Sequence, residues 1–124
     1  MPDLTQNIII VDDDPEMNLA IRRLLSAAGF QAEAFPSAEA LLESKAAATA
    51  ACLVLDVHLP GLSGFELRKR LQEGGNQQPV IFITAYDDPA SETEAQAAGA
   101  IAYLTKPFRG CSLIAAINEA LEPV

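Results

Sequence analysis

Residues 53–64 read LVLDVHLPGLSG, and this stretch decides the fold. The apolar run 52–55 shows no alternation of polar and apolar residues, which is typical of a strand buried on both faces of a parallel sheet. The run ends in Asp56, and a Pro-Gly turn follows it. Ser63 and Glu66 then have the spacing of a helix capping box. The stretch therefore predicts a buried strand, an acidic residue at its carboxyl end, a loop and a helix.

Outside this stretch the same strand–helix succession recurs, five times in all. The predicted strands are residues 7–11, 31–35, 52–55, 80–84 and 100–104. Helix starts are indicated by capping residues, two of them followed by proline: Asp14, Ser37, Ser63 and Asp88. Parallel strands joined by right-handed helical crossovers form a sheet with helices on both faces. We predict a doubly wound α/β sandwich of three layers.

The composition indicates one domain, which we place at residues 5–122. The 124 residues are half hydrophobic, enough for one core. The longest apolar run is too short to span a bilayer and no signal peptide opens the chain, so we expect a soluble, cytoplasmic protein without membrane contact. A net charge of −9 repels phosphate backbones, which argues against direct nucleic-acid binding.

Three smaller features have simple structural interpretations. Cys52 and Cys111 lie in apolar contexts without metal-binding spacing, and we expect both to be buried thiols. The basic run 68–70 (RKR) is interpreted as a solvated helix face. His58 is the only histidine, and we expect its side chain to face solvent.

Reactive residue types collect where the predicted strands end. In parallel sheets of this kind, ligands bind at the carboxyl ends of the strands. The residues at or just beyond those ends are Asp12, Asp13, Asp14, Asp56, Thr84 and Lys106. Carboxylates at the ends of adjacent strands lie about 5 Å apart and repel one another unless a cation intervenes. Mg²⁺ suits such a site, and Mn²⁺ is an alternative ion; for Asp14 we prefer the helix cap.

The same residues suit phosphoryl transfer. A carboxylate such as that of Asp56 can attack phosphorus and become an acyl phosphate. Catalysis then consists mostly of positioning and of neutralising charge, to which Lys106 contributes a cation. The hydroxyl of Thr84 can donate a hydrogen bond to a phosphoryl oxygen.

The sequence resembles the receiver domain of two-component response regulators over essentially its whole length. The matching segments stand in the family's order and approximate spacing: IIIVDDD at 8–14, LVLDVHLPGLSG at 53–64, IFITA at 81–85 and YLTKPF at 103–108. The resemblance implies a flavodoxin-like sheet in the order 2-1-3-4-5. It also implies a phosphorylation-activated switch that catalyses only its own phosphorylation and dephosphorylation. The expected phosphoryl donor is a sensor histidine kinase or a phosphotransfer protein, and a phosphorylation-dependent dimer is a further candidate.

By that resemblance Asp56 is the phosphoacceptor. Asp13 is the direct Mg²⁺ ligand, and Asp12 acts through a water molecule or on Lys106. Asp56 and the backbone carbonyl of His58 complete the metal ligands.

The resemblance also implies the moving parts of a switch. Thr84 and Lys106 contact the phosphoryl group, and the Lys106-Pro107 peptide bond is cis, which X-Pro bonds tolerate. Tyr103 occupies the family's switch-aromatic position. When Thr84 moves toward the phosphoryl group, Tyr103 rotates inward and the face formed by the fourth helix, fifth strand and fifth helix changes.

Tyr86 and His58 depart from what is ordinary for the family. Tyr86 lies two residues beyond Thr84, and His58 lies two residues beyond Asp56, so both border the expected pocket. We hypothesise that they set how readily water reaches the acyl phosphate.

Parts of the sequence are also compatible with two other functions. In a haloacid-dehalogenase-type phosphohydrolase, Asp12 is the nucleophile and Asp14 the acid/base, but no acidic metal-binding pair follows Lys106 except Glu119 and Glu122 on the last helix. A receiver that binds partners without being phosphorylated does not need the complete acid, hydroxyl and lysine set. The segment FPSAEALLES at 35–44 resembles receivers that precede helix-turn-helix output domains.

Overall fold

Five strands and five α-helices alternate along residues 6–86 and 88–122, the part of the chain that the computed structural model describes. The strands are β1 (Asn7–Val11), β2 (Gln31–Phe35), β3 (Cys52–Asp56), β4 (Val80–Thr84) and β5 (Ala102–Thr105). The helices are α1 (Pro15–Ala27), α2 (Ala38–Ser44), α3 (Gly64–Glu73), α4 (Pro89–Ala97) and α5 (Gly110–Leu121). A 3₁₀ helix, Ala46–Thr49, follows α2. Residue 5, where we predicted the domain to begin, lies outside the described residues.

All strand pairs are parallel, and the sheet order is β2-β1-β3-β4-β5. The predicted doubly wound fold and its strand order are confirmed. β3 and β4 are buried along their whole length, which explains why their sequences lack polar alternation. The carboxyl ends of β1, β3 and β4 are therefore neighbours at one edge of the sheet.

The two faces of the sheet form two separate cores. On one face, alternate strand residues such as Ile9, Leu53 and Phe82 pack with α2, α3 and α4. On the other face, Ile10, Val54 and their neighbours pack with α1 and α5. This division is the three-layer sandwich that the sequence predicted.

The predicted helix starts are confirmed by their capping hydrogen bonds. Asp14 accepts from the backbone N–H of Glu16 at 3.0 Å, and Asp88 accepts from that of Ser91 at 2.7 Å. Ser63 and Glu66 form both hydrogen bonds of the capping box. Each cap satisfies a backbone donor that the first helical turn leaves unpaired.

Three local predictions were wrong in part. The fifth strand spans Ala102–Thr105 and not 100–104, because the N–H of Ala100 still bonds to the carbonyl of Ala95 in the turn that ends α4. Cys111 is exposed in the first turn of α5, whereas Cys52 is buried as expected. Arg68 is buried, and its guanidinium donates to the carbonyl of Gln78 at 2.6 Å, whereas Lys69 and Arg70 are exposed as predicted.

Two further expectations concern chain geometry. The Lys106-Pro107 peptide bond is cis, as predicted. Within the described residues, no helix combines the length and apolar character needed to cross a membrane.

Candidate acidic phosphorylation site

The predicted reactive residues converge at the carboxyl edge of the sheet. Asp56 is the last residue of β3 and Thr84 the last of β4. Asp12 directly follows β1, and Lys106 directly follows β5. Residues separated by up to 94 positions in sequence thus share one pocket, because parallel strands bring their carboxyl ends together.

Lys106 is the cationic centre of this pocket. Its Nζ lies 2.8 Å from Oδ2 of Asp12 and 3.2 Å from Oδ2 of Asp56. Burial alone lowers the pKa of Lys106, but its hydrogen bonds to the two carboxylates and their charges outweigh burial and raise the pKa above its ordinary value. Lys106 therefore carries a firmly held positive charge between two acids.

Asp56 is held in a fixed orientation by its backbone surroundings. Its Oδ1 accepts from the N–H of His58 at 3.0 Å, and only 4% of the residue is exposed. Burial raises the pKa of the Asp56 carboxyl group, with a further contribution from the charge of Asp12; the hydrogen bonds from His58 and Lys106 act in the opposite direction.

Three carboxylates of the pocket are close enough to share a cation. One oxygen each from Asp12, Asp13 and Asp56 lie within 4.8 Å of one another. Asp12 and Asp56 are buried, whereas Asp13 is exposed at the mouth of the pocket. Oxygen-only ligands of high negative charge match hard divalent cations such as Mg²⁺, so the residues present fit such an ion.

Thr84 is buried beside this cluster, but its hydroxyl points to the following loop. It donates to the carbonyl of Tyr86 at 3.1 Å and accepts from the N–H of the same residue at 3.0 Å. Among the hydrogen bonds of the described residues, none joins Thr84 to Asp56. A hydroxyl has one hydrogen to donate, and in this structure Thr84 donates it to Tyr86.

Three other predicted residues surround the pocket. Tyr103 is half-buried in β5 and packs against the core on the α4 side. The side chain of His58 is exposed, as predicted, and its ring meets that of Tyr86 edge-to-face at a centroid distance of 5.3 Å. Asp14 serves as the cap of α1 through its side chain.

Two residues that shape the site were missed by the sequence reasoning. Gly64 opens α3 directly against the backbone of Asp56, where a Cβ atom would lie 2.3 Å from the carbonyl oxygen. Asn18 on α1 donates to the carbonyl of Asp12 at 2.8 Å. A signal existed for each: a glycine opens a helix at Gly64, and a polar residue interrupts the apolar face of α1 at Asn18.

Fold and site together define a parallel α/β domain with an acidic, lysine-bearing pocket at its strand ends. The chain belongs to the family of response regulator receiver domains, whose family model matches residues 8–118. This result confirms the resemblance drawn from the four sequence segments. It gives no support to the phosphohydrolase alternative, in which Asp12 is the nucleophile.

Comparisons with individual relatives are consistent with membership of this family. The chain is 39% identical over 122 residues to the response regulator protein TmoT of Ectopseudomonas mendocina, covering 98% of this chain and 56% of TmoT. It is similar to the structure of response regulator StyR, with a TM-score of 0.86, 39% identity, and coverage of 94% of this chain and 59% of StyR. It is also similar to the crystal structure of FixJ-N, with a TM-score of 0.85, 33% identity, and coverage of 100% of this chain and 98% of FixJ-N. The chain thus spans little more than half of TmoT and StyR.

Proposed function

We propose that this chain is a phosphorylation-activated switch that accepts a phosphoryl group on Asp56 from a phosphohistidine of a sensor kinase or phosphotransfer protein. The observation that carries the proposal is the position of Asp56: it is buried at the end of the central strand β3, with the Lys106 ammonium 3.2 Å from its carboxylate. A nucleophile needs this combination of fixed orientation and nearby positive charge when it attacks an anionic phosphoryl group.

In the proposed reaction, the phosphoryl group passes from the donor's imidazole to the carboxylate of Asp56. A carboxylate oxygen of Asp56 forms the new bond to phosphorus, while the bond from phosphorus to the donor's imidazole nitrogen breaks and its electron pair stays on that nitrogen. The product is an acyl phosphate. Lys106 is already within reach of the carboxylate, so its charge offsets the negative charge brought in by the phosphoryl oxygens.

We propose Mg²⁺ as the cofactor, with Mn²⁺ as an alternative. The carboxylates of Asp13 and Asp56 and the backbone carbonyl of His58 are the proposed ligands, and Asp12 acts through a water molecule. When bound, the ion supplies positive charge to phosphoryl oxygens and relieves the repulsion among the three carboxylates. Asp12 also has a second role that needs no ion, because it holds Lys106 in place at 2.8 Å.

The proposed output begins at Thr84. In the described structure its hydroxyl is engaged by the backbone of Tyr86. A phosphoryl group on Asp56 offers a charged acceptor that competes for this hydroxyl, since hydrogen bonds to charged groups are the stronger ones. Movement of Thr84 then lets Tyr103 turn inward and changes the α4-β5-α5 face. A bias of a few kcal/mol is enough to shift such an equilibrium.

We propose residues 5–122 as the complete receiver unit and a phosphorylation-dependent dimer as one readout of the changed face. The cytoplasmic location expected from the sequence stays a prediction. The chain spans little more than half of TmoT, and the proposed function is that of the switch alone.

Acetyl phosphate tests the proposal. Incubation with this donor and Mg²⁺ should add the mass of one phosphoryl group to the wild type, and omission of Mg²⁺ should abolish the gain. Asp56→Asn should stay unmodified. Modification that persists in Asp56→Asn and disappears in Asp12→Asn would overturn the proposal in favour of the phosphohydrolase chemistry.

A further inference from the structure

A polar residue lies among the apolar residues by which α1 packs on the sheet. Asn18 is only 8% exposed, and it shares the buried face of the helix with Ile21 and Leu25. A buried polar group without a hydrogen bond destabilises a fold by roughly 1–3 kcal/mol. Asn18 is also outside the set of residues to which the proposed phosphoryl transfer assigns a role.

The side-chain amide of Asn18 joins α1 to the ends of two strands. Its Nδ2 donates to the carbonyl of Asp12 at 2.8 Å and makes a longer contact of 3.4 Å with the carbonyl of Phe35. The Phe35 carbonyl also accepts from the N–H of Asp12 at 3.2 Å. Because carbonyl oxygens only accept, the geometry itself requires the nitrogen of Asn18 to face them.

Only the donor half of the Asn18 amide is used. Its Oδ1 is buried and has no hydrogen-bond partner within the described part of the chain. An apolar side chain of similar size would avoid this unsatisfied acceptor. The bond to the Asp12 carbonyl is therefore the feature that distinguishes asparagine from leucine at this position.

That bond controls the backbone from which Asp13 projects. The carbonyl of Asp12 and the N–H of Asp13 belong to one planar peptide unit. Holding the carbonyl oxygen fixes the rotation of this plane, and so the direction in which the Asp13 side chain leaves the chain.

The position of the Asp13 carboxylate depends on the backbone more than the positions of the Asp12 and Asp56 carboxylates do. The carboxylates of Asp12 and Asp56 are each held by Lys106 and by a backbone N–H. Among the hydrogen bonds of residues 6–86 and 88–122, none holds the carboxylate of Asp13. The approach of its carboxylate to the other two, within 4.8 Å, therefore depends on the loop backbone and on its own side-chain rotamer.

We propose that Asn18 is a positioning residue for the divalent cation: it aims the Asp13 carboxylate into the acidic pocket without contacting the cation or the phosphoryl group. The inference rests on the proposed function, in that the pocket binds Mg²⁺. Mg²⁺ demands near-ideal octahedral geometry, whereas Ca²⁺ accepts variable ligand positions. Loss of Asn18 therefore weakens Mg²⁺ binding more than Ca²⁺ binding.

Asn18→Leu removes the donor at nearly constant size. In calorimetric titrations, its affinity for Mg²⁺ should fall about 10- to 100-fold, the range seen when residues that orient metal ligands are removed. Its affinity for Ca²⁺ should fall less. At saturating Mg²⁺, phosphorylation by acetyl phosphate should return close to the wild-type rate, because Asn18 touches neither reacting group. Ile21→Val, one turn along the same buried face, is the matched control and should keep wild-type affinities.

The outcomes separate positioning from simple stabilisation. Unchanged Mg²⁺ affinity in folded Asn18→Leu overturns the proposal, and so does an equal loss of Mg²⁺ and Ca²⁺ affinity that Ile21→Val shares. If the leucine variant does not fold, Asn18→Met, which also lacks a donor and adapts its shape to irregular space, is held to the same criteria. Wild-type protein that binds no Mg²⁺ overturns the proposed function itself, and that result is visible before any variant is made.

Discussion

Asp56 lies buried beside Asp12, and burial raises the pKa of its carboxyl group. A folded-state pKa above the unfolded value means that the group favours folding while it is protonated and opposes folding once it is ionised. Asp56→Asn should therefore stabilise the protein at pH 7. The gain should shrink as the pH falls toward the unfolded value of aspartate, because the wild-type carboxyl then takes up its proton in the folded state. Thermal unfolding across this pH range measures both effects.

Glu43→Gln is the control for the stability of Asp56→Asn. It removes one negative charge from the same chain of net charge −9, but at an exposed position on α2. Its effect should be near zero at every pH, as is usual for surface substitutions. A lower unfolding temperature for Asp56→Asn at pH 7 would contradict the assignment of Asp56 as a carboxylate strained by burial.

The rings of Tyr86 and His58 meet edge-to-face above the loops that follow β4 and β3. Tyr86 is 68% exposed, so the pair lies at the surface beside the strand ends and does not belong to the core. Tyr86→Ala and His58→Ala should each open a path for water and shorten the half-life of the acyl phosphate by about fivefold, equivalent to ~1 kcal/mol in the barrier to hydrolysis. The half-life is measured by following the loss of the phosphoryl group over time, either by radiolabel or by intact mass.

Tyr86→Phe is the matched control for the ring pair. It keeps the ring and its edge-to-face contact and removes only the hydroxyl, so its half-life should equal that of the wild type. Equal half-lives for the wild type and both alanine variants would remove any role of the ring pair in acyl phosphate lifetime.

At the scale of the elements, α3 determines how β3 presents Asp56. Gly64 is the first residue of α3, and its N–H donates to the carbonyl of Val57 at 3.0 Å. A Cβ atom there would lie 2.3 Å from the carbonyl oxygen of Asp56, a distance that only backbone movement can relieve. Gly64→Ala should destabilise the fold by about 1–3 kcal/mol, as overpacked positions do, and should slow phosphorylation.

Gly74→Ala provides the comparison at the other end of the same helix. There a Cβ atom would meet its nearest neighbours at 3.6 Å, an ordinary contact distance, and the backbone does not have a positive φ. This variant should be as stable as the wild type or more stable by about 0.4–1 kcal/mol, because alanine lowers the entropy of the unfolded chain. Chemical denaturation ranks the two variants; a Gly64→Ala protein as stable as Gly74→Ala would contradict the close approach of α3 to β3.

The elements themselves were predictable from the sequence where a local signal defined them. Strands β1, β3 and β4 have continuous or nearly continuous apolar runs, and α1, α3 and α4 begin at side-chain caps. β5 was misplaced by two residues at its start because strand pairing begins only at Ala102 opposite Ile81, and Ala100 still belongs to the turn after α4. Composition alone does not distinguish these two uses of an apolar residue.

The sequence predicted the reactive residues of the candidate site, but it did not predict the residues that hold them in position. Asp12, Asp56 and Lys106 meet as the strand ends required, because a parallel sheet aligns those ends. The role of Asn18 depends on which carbonyl its helix passes, and the burial of Arg68 depends on the carbonyl of Gln78 being within reach. Both depend on distances between residues that are far apart in sequence, and a helical pattern in the sequence does not predict such distances.

For the whole molecule, the balance of 17 acidic and 8 basic residues means that any salt relieves some repulsion. A specific Mg²⁺ site has to be distinguished from this general effect. A ligand that binds only the folded state adds RT ln(1 + [L]/Kd), which is about 2.7 kcal/mol at a hundredfold excess over Kd. We therefore expect the unfolding temperature in MgCl₂ to be well above the unfolding temperature in NaCl of equal ionic strength.

Asp13→Asn assigns the Mg²⁺ effect to the acidic pocket. This variant removes the exposed member of the three-carboxylate cluster and leaves the contacts of Lys106 with Asp12 and Asp56 in place. It should lose most of the stabilisation by MgCl₂ while responding to NaCl as the wild type does, because its net charge changes by only one. Glu94→Gln, exposed on α4, changes the charge equally and should keep the full Mg²⁺ response. If MgCl₂ stabilised all three proteins to the same extent, the ion would be acting on the overall charge of the molecule, and the acidic pocket would not be its site.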